Sequence, residues 1–219
     1  MAKINSINNK SSELTLDPGA SGDSALQFSI NGTPEFIIGV DDNDSDKFKI
    51  STGSALGTND TFVVTDSGEI TKPLQSAFLA TVTSQVSNVT GDNTSYTLVY
   101  DTEVFDLNSD FDGTSTFTAP VSGKYCFQVG ISIGGIASQT VGLFYLRTSN
   151  RDYLFVQNNP DAVEDSSSQF GASVSILADM DASDTATVTI TIGNASKVVD
   201  IITNGSTDPY NWFSGYLAV

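Results

Sequence analysis

The chain has 219 residues, 39% hydrophobic and 16% charged, and a formal net charge of −17 from 26 acidic against 9 basic residues. So acidic a surface repels phosphate backbones and anionic lipid, which sets aside nucleic-acid binding and membrane docking. With no histidine and one cysteine, an internal disulfide, a Ser-His-Asp triad and a His-ligated zinc site are all excluded.

Residues 1–73 read as short strands separated by turns. Met1 to Lys10 holds no apolar stretch of signal-peptide length, so synthesis in a cytoplasm is expected. Leu14-Thr15-Leu16 meets the turn Asp17-Pro18-Gly19. Ala25 to Ile30 alternates and then meets Asn31-Gly32, a hairpin pair. Glu35 to Val40, Phe48 to Ile50 and Thr61 to Val64 are further strands, and Asp66-Ser67-Gly68 turns the chain before Ile70. Each strand carries few large apolar residues, too few for a stable core in one copy. Burial against identical chains is the economical solution. Lys72-Pro73 closes the region as a domain boundary.

From Leu74 the strands lengthen. Ala77 to Val82, Tyr96 to Tyr100, Val141 to Arg147, Tyr153 to Val156, Phe170 to Leu177 and Thr185 to Ile192 are expected strands, and Phe213 to Val219 ends the chain on another. The centre is Phe117-Thr118-Ala119-Pro120-Val121-Ser122-Gly123-Lys124-Tyr125-Cys126-Phe127. Pro120 pushes Ala119 towards extended backbone, and Ser122-Gly123 turns. Tyr125, Phe127, Val129 and Ile131 then alternate with Lys124, Cys126, Gln128 and Gly130, the mark of a strand with one face in a core. About eight to ten strands at this spacing imply an all-β sandwich or jelly roll.

Two stretches resemble known families. Ser76-Ala77-Phe78, then Phe111-Asp112-Gly113, then Phe117 to Phe127, then Phe213-Ser214-Gly215-Tyr216-Leu217 resemble, in order and spacing, the globular head of the C1q family within the C1q and tumour-necrosis-factor superfamily. The resemblance implies that residues 74–219 form a ten-stranded jelly roll. It further implies a tight homotrimer around a threefold axis, ligand loops at one end, no enzymatic activity and, in some members, calcium near the trimer apex. The sequence departs from the family in four places. Asp179 to Asp184 replaces the usual Gly-Asp turn, and Thr207 to Trp212 approaches the last strand unusually. Neither a collagen repeat nor a secretion signal precedes the head. The last two favour a viral or bacterial head over an animal secreted protein. The strand–turn cadence within residues 36–71 resembles phage tail-fibre and other virion fibre segments that precede a trimeric β-structured head.

Together the two resemblances imply a non-enzymatic phage structural protein: a trimeric capsid decoration, head-fibre or tail-fibre protein located in the virion. Residues 1–73 would attach to capsid or other virion proteins or form a shaft, and the head would be displayed, where it could bind a host surface protein or glycan. The alternative is a bacterial C1q-like adhesion or spore-surface protein. No cofactor is expected. Asp42, Asp44 and Asp46 have EF-hand spacing for calcium, but Lys47 and Gly53 stand where the loop needs Gly and Glu. A solvated turn is the better reading. Candidate ligand-loop residues are Arg151, Asp161, Glu164, Tyr210 and Trp212. Trp212 either stacks on a ligand or packs at a subunit contact. Asp161, Glu164 and Asp165 are either solvated or meet a cation, a basic partner, or Arg147 and Arg151. Cys126 reads as a small apolar strand residue.

Overall fold

The computed structural model describes residues 15–19 and 21–219. They divide into two units, 1–74 and 75–219. No described helix is long and apolar enough to cross a membrane.

The first unit is one antiparallel meander of β1 (Ser24–Ile30), β2 (Thr33–Asp41), β3 (Lys47–Thr52), β4 (Asp60–Val64) and β5 (Ile70–Thr71), paired in chain order. Asn31 and Gly32 both have positive φ, 51° and 85°, the geometry that a two-residue hairpin turn needs. The expected strand at Leu14-Thr15-Leu16 does not form at Thr15 and Leu16, and Leu14 lies outside the described residues. Register divides the sheet cleanly. Leu26 pairs with Ile38, Ile38 with Ile50 and Ile50 with Phe62. Val40 pairs with Phe48, Phe48 with Val64 and Val64 with Ile70. Directly paired residues point to the same side, so one face is apolar. The other carries Ile37, Lys49, Ser51 and Val63, all buried.

The second unit contains twelve strands in two sheets. The first sheet joins β8 (Ser95–Thr97), β10 (Phe117–Thr118), β12 (Val141–Thr148), β13 (Asp152–Asn158) and β15 (Thr185–Gly193). The second joins β6 (Ala77–Val82), β9 (Thr102–Asp106), β11 (Gly123–Gly134), β14 (Gln169–Met180) and β17 (Asn211–Leu217). These ten are the strands of a jelly roll. A short extra pair, β7 (Val86–Thr90) and β16 (Val199–Ile201), extends the second sheet beside the far end of β11. One four-residue helix, α1 (Pro160–Val163), follows β13.

β11 organises the unit. It pairs with β14 from Gly123 to Gly134, and on its other edge with β17 and then β16. Tyr125, Phe127, Val129, Ile131 and Ile133 are inward and buried. Lys124, Cys126, Gln128, Gly130 and Ser132 face outward, as alternation requires. β15 alternates in the same way, with Ala186, Val188, Ile190 and Ile192 buried. Its threonine face is half covered: Thr189 is buried where β8 pairs with it and where the Arg147 Nε donates to its hydroxyl at 2.7 Å.

The family-like motifs, far apart in the chain, meet in one aromatic cluster. Phe78 stacks on Phe111 and Phe117 at 5.0 and 5.1 Å and meets Phe213 edge-on at 4.9 Å. Phe127 packs on Phe117 and Phe213. Gly215 leaves room for this cluster: a Cβ there would fall 2.6 Å from the Phe127 ring and 2.9 Å from Phe78. Asp112 holds the loop that carries Phe111. Its Oδ1 accepts from the backbone N–H groups of Thr114, Ser115 and Thr116 at 2.7–3.0 Å. Partial burial works against the charged carboxylate, but these donors outweigh it and lower its pKa to about 2. Phe78→Ala should destabilise the unit by about 4 kcal/mol and Gly215→Ala by about 2 kcal/mol through overpacking. Chemical denaturation followed by tyrosine and tryptophan fluorescence measures both.

Candidate functional site

The acidic turn after β2 is an ion-pair cluster centred on lysine. Asp42 to Asp44 form a single 3-10 turn, and Ser45 and Asp46 follow with left-handed φ. The expected metal candidates do not converge. Asp42 accepts from the Gly22 N–H at 3.3 Å. Asp44 reaches Lys47 at 2.8 Å and Lys49 at 2.6 Å. Among the described residues, no group of three or more Asp, Glu or Cys side chains is arranged to hold a metal ion.

Lys49 is the centre. Its side chain is 2% exposed, and its Nζ also meets Asp41 at 2.8 Å and Asp60 at 3.2 Å. Burial opposes the ammonium, but the three carboxylates outweigh it and raise its pKa. Asp60 is also opposed by burial, yet donors from Ser51, Gly57 and Lys49 lower its pKa. The cluster ties β2, β3 and the start of β4 together and pins the loop that buries Leu56. Lys49→Met leaves buried carboxylates without a counter-charge and should cost about 3 kcal/mol. Amide exchange over residues 41–60 at neutral pH reads this loss.

In the second unit, the candidate residues separate to two ends. Arg151 sits in the β12–β13 turn, where the neighbouring Asn150 amide donates to Asp184 at 2.6 Å. Arg147 pairs with Asp152 and lies 4.2 Å over the Tyr145 ring, so it does not meet Asp161, Glu164 or Asp165. These three acids lie at the opposite end, in and after α1, where the Asp161 N–H donates to the Gln139 carbonyl at 2.9 Å.

That second end has two neighbouring hollows. One, of about 520 Å³, is lined by Ser132, Ser173, Asp208, Pro209, Tyr210 and Trp212, among others. The other, of about 370 Å³, is lined by Glu164, Asp165 and Phe170 and shares Ser132 and Gly171 with the first. The fold thus brings Glu164, Tyr210 and Trp212 to one region and leaves Arg151 at the far end. Asn211, fully buried, holds this corner: its Oδ1 accepts from the Ser132 N–H at 2.7 Å and its Nδ2 donates to the Ile202 carbonyl at 2.6 Å. The Trp212 indole lies flat against Gly130, where a Cβ would fall 2.4 Å from the ring. An indole, a phenol, two hydroxyls and one carboxylate suit stacking and hydrogen bonding. Asp208 is the only carboxylate lining the larger hollow, and Glu164 and Asp165 line the adjoining one. The roles of Ser132, Ser173 and Asp208 had no signal in the sequence, because only pairing of β11 with β14 and β17 places them around Trp212.

The outward face of the second sheet is the other feature of note. Across it, Ala77 pairs with Tyr216, Tyr216 with Cys126 and Cys126 with Leu177. Phe105 pairs with Leu79 one row further on, and Trp212 lies two rows from Tyr216. Leu177 is 60% exposed, Tyr216 45% and Phe105 43%. Cys126 is half-buried, with its Sγ 3.6 Å from the Ser175 hydroxyl. The one ion pair on this face, Lys124 with Asp179, is at its end.

No family profile and no curated protein sequence matches the chain. Among solved structures, the globular domain of zebrafish complement 1qA is similar at 17% identity and a TM-score of 0.42, over 66% of this chain and 98% of that one. Murine APRIL is similar at 10% identity and a TM-score of 0.43, over 65% and 98%. Gly130→Ala should push the indole off the strand. Because Trp212 is the only tryptophan, a red shift and faster quenching of its emission, with the far-UV spectrum unchanged, check this directly.

Proposed function

We propose that this chain is a non-enzymatic structural protein of a virus particle, a trimeric capsid decoration or fibre protein whose 75–219 unit is displayed as a C1q-like head. The observation that carries the reading is the outward face of the second sheet, where Tyr216, Leu177 and Phe105 are exposed on one continuous set of paired strands beside the half-buried Leu79. A patch of this kind marks an interaction surface. A cyclic assembly of identical heads buries it three times over. Trp212 lies on the same side and belongs to that contact, with the hollow beside Tyr210 left at its margin for a host surface protein or glycan.

Other observations support parts of the reading. The chain has no histidine, so a Ser-His-Asp triad has no part in the reading. The strong negative charge suits an exposed particle surface. The cadence of residues 36–71, similar to virion fibre segments, supports attachment through the first unit. Three copies acting together would raise weak host contacts to useful avidity.

Light scattering on the purified chain should give three times the mass of one chain. Leu177→Asp, which places a charge within the proposed contact, should make the assembly dissociate at a higher concentration than the wild type. A wild-type monomer would overturn the trimer. Portal and capsid genes beside the coding sequence are expected, and their absence would turn the assignment to the bacterial surface alternative.

A further inference from the structure

The first unit has its pattern inside out. In a half-covered antiparallel sheet, the covered face is apolar and the open face polar. Here the covered face holds the charged cluster of Lys49 with Asp41, together with Ser51, and only Ile37, Leu56 and Val63 as buried apolar side chains. The open face is the apolar one. Leu26, Phe28, Ile30, Phe36, Phe48 and Ile70 are each more than a third exposed, Phe28 at 52% and Ile30 at 65%. Behind them in the same rows lie Ile38, Ile50 and Val64, half-buried only by their neighbours.

We propose that this face is buried against the same face of further copies of the chain, so that the first unit is an assembly seam in its own right. Three arguments select that occupant. The six most exposed side chains leave on the order of 600 Å² uncovered, close to the roughly 800 Å² that each partner of a stable interface contributes and at the upper limit of what a lone soluble unit exposes. The paired rows on this face contain no charged side chain, so an occupant must be equally apolar. A different protein would have to expose such a surface itself, whereas identical copies cover both at once. Finally, the ionic groups Lys49, Asp41 and Asp60 are on the opposite side. Closing copies face to face leaves those charges out of the seam and keeps the like charges of different copies apart. The seam uses residues distinct from those proposed for the head contact, so either can fail alone.

Photo-crosslinking in the full-length purified protein tests the seam, with no other protein present. p-Benzoylphenylalanine replaces Phe28 in one sample and Gln27, its neighbour on the other face, in a second. Covalently linked copies from position 28 at roughly tenfold the yield from position 27 support the proposal. Equal yields, no linkage between copies, or linkage only within one chain overturn it. Ile30→Asp provides the second arm. Because Ile30 is already exposed at an edge strand, the substitution leaves the sheet able to fold. A charge in an apolar seam should cut the yield from position 28 about tenfold, and an unchanged yield overturns the seam. Read together, the mass and the linkage separate the two contacts: no linkage from position 28 in a chain that still has the trimer mass is failure of the seam, whereas linkage from position 28 in an assembly that Leu177→Asp does not weaken is failure of the head contact.

Discussion

The second unit depends on the packing of aromatic rings around Phe78. Stacking on Phe111 and Phe117 and an edge contact with Phe213 join β6, the loop before β10, β10 itself and β17 in one contact set. These residues come from the beginning, middle and end of the unit, so the cluster closes the jelly roll as well as filling it. Offset and edge-on ring pairs add to the energy of burial alone. The geometry also restricts what surrounds it: Gly215 must lack a side chain for Phe127 and Phe78 to pass over β17.

Once those rings set the inward face of β11 and β17, their outward face follows without further choice. Alternation places Cys126, Gln128 and Gly130 outside because Tyr125, Phe127 and Val129 are inside. The same rule exposes Tyr216 and Trp212 on β17. The outward apolar face is therefore the reverse side of the core, and a slip of one residue in register would exchange the two. Bareness at Gly130 then lets the indole of Trp212 lie flat on the sheet, which shapes the hollow at that end.

The first unit solves a different problem. Its sheet is a single layer, and its covered face is held by charge more than by apolar burial. Lys49 with three carboxylates is a costly group to bury and a costly one to break. Such a cluster is specific in geometry, since each carboxylate comes from a different point of the meander. It pins the loop between β3 and β4 and leaves the apolar face free.

Sequence by itself determined the strands with strong alternation and the turns with demanding backbone. β6, β11, β12 and β15 stand where alternation placed them, and Asn31-Gly32 turns as its chemistry requires. The short strands β7, β9 and β16 and the helix α1 were not legible, because they carry too few large apolar residues to show a period and exist only by pairing with neighbours. The acidic run was legible as a polar turn. That Asp44 serves Lys49, together with Asp41 and Asp60, required the register of β2, β3 and β4. Likewise, nothing in the chain order says that Arg151 lies at one end of the jelly roll and Glu164, Tyr210 and Trp212 at the other. Local periodicity is written in neighbouring residues, whereas a site is made by residues that only tertiary pairing brings within reach.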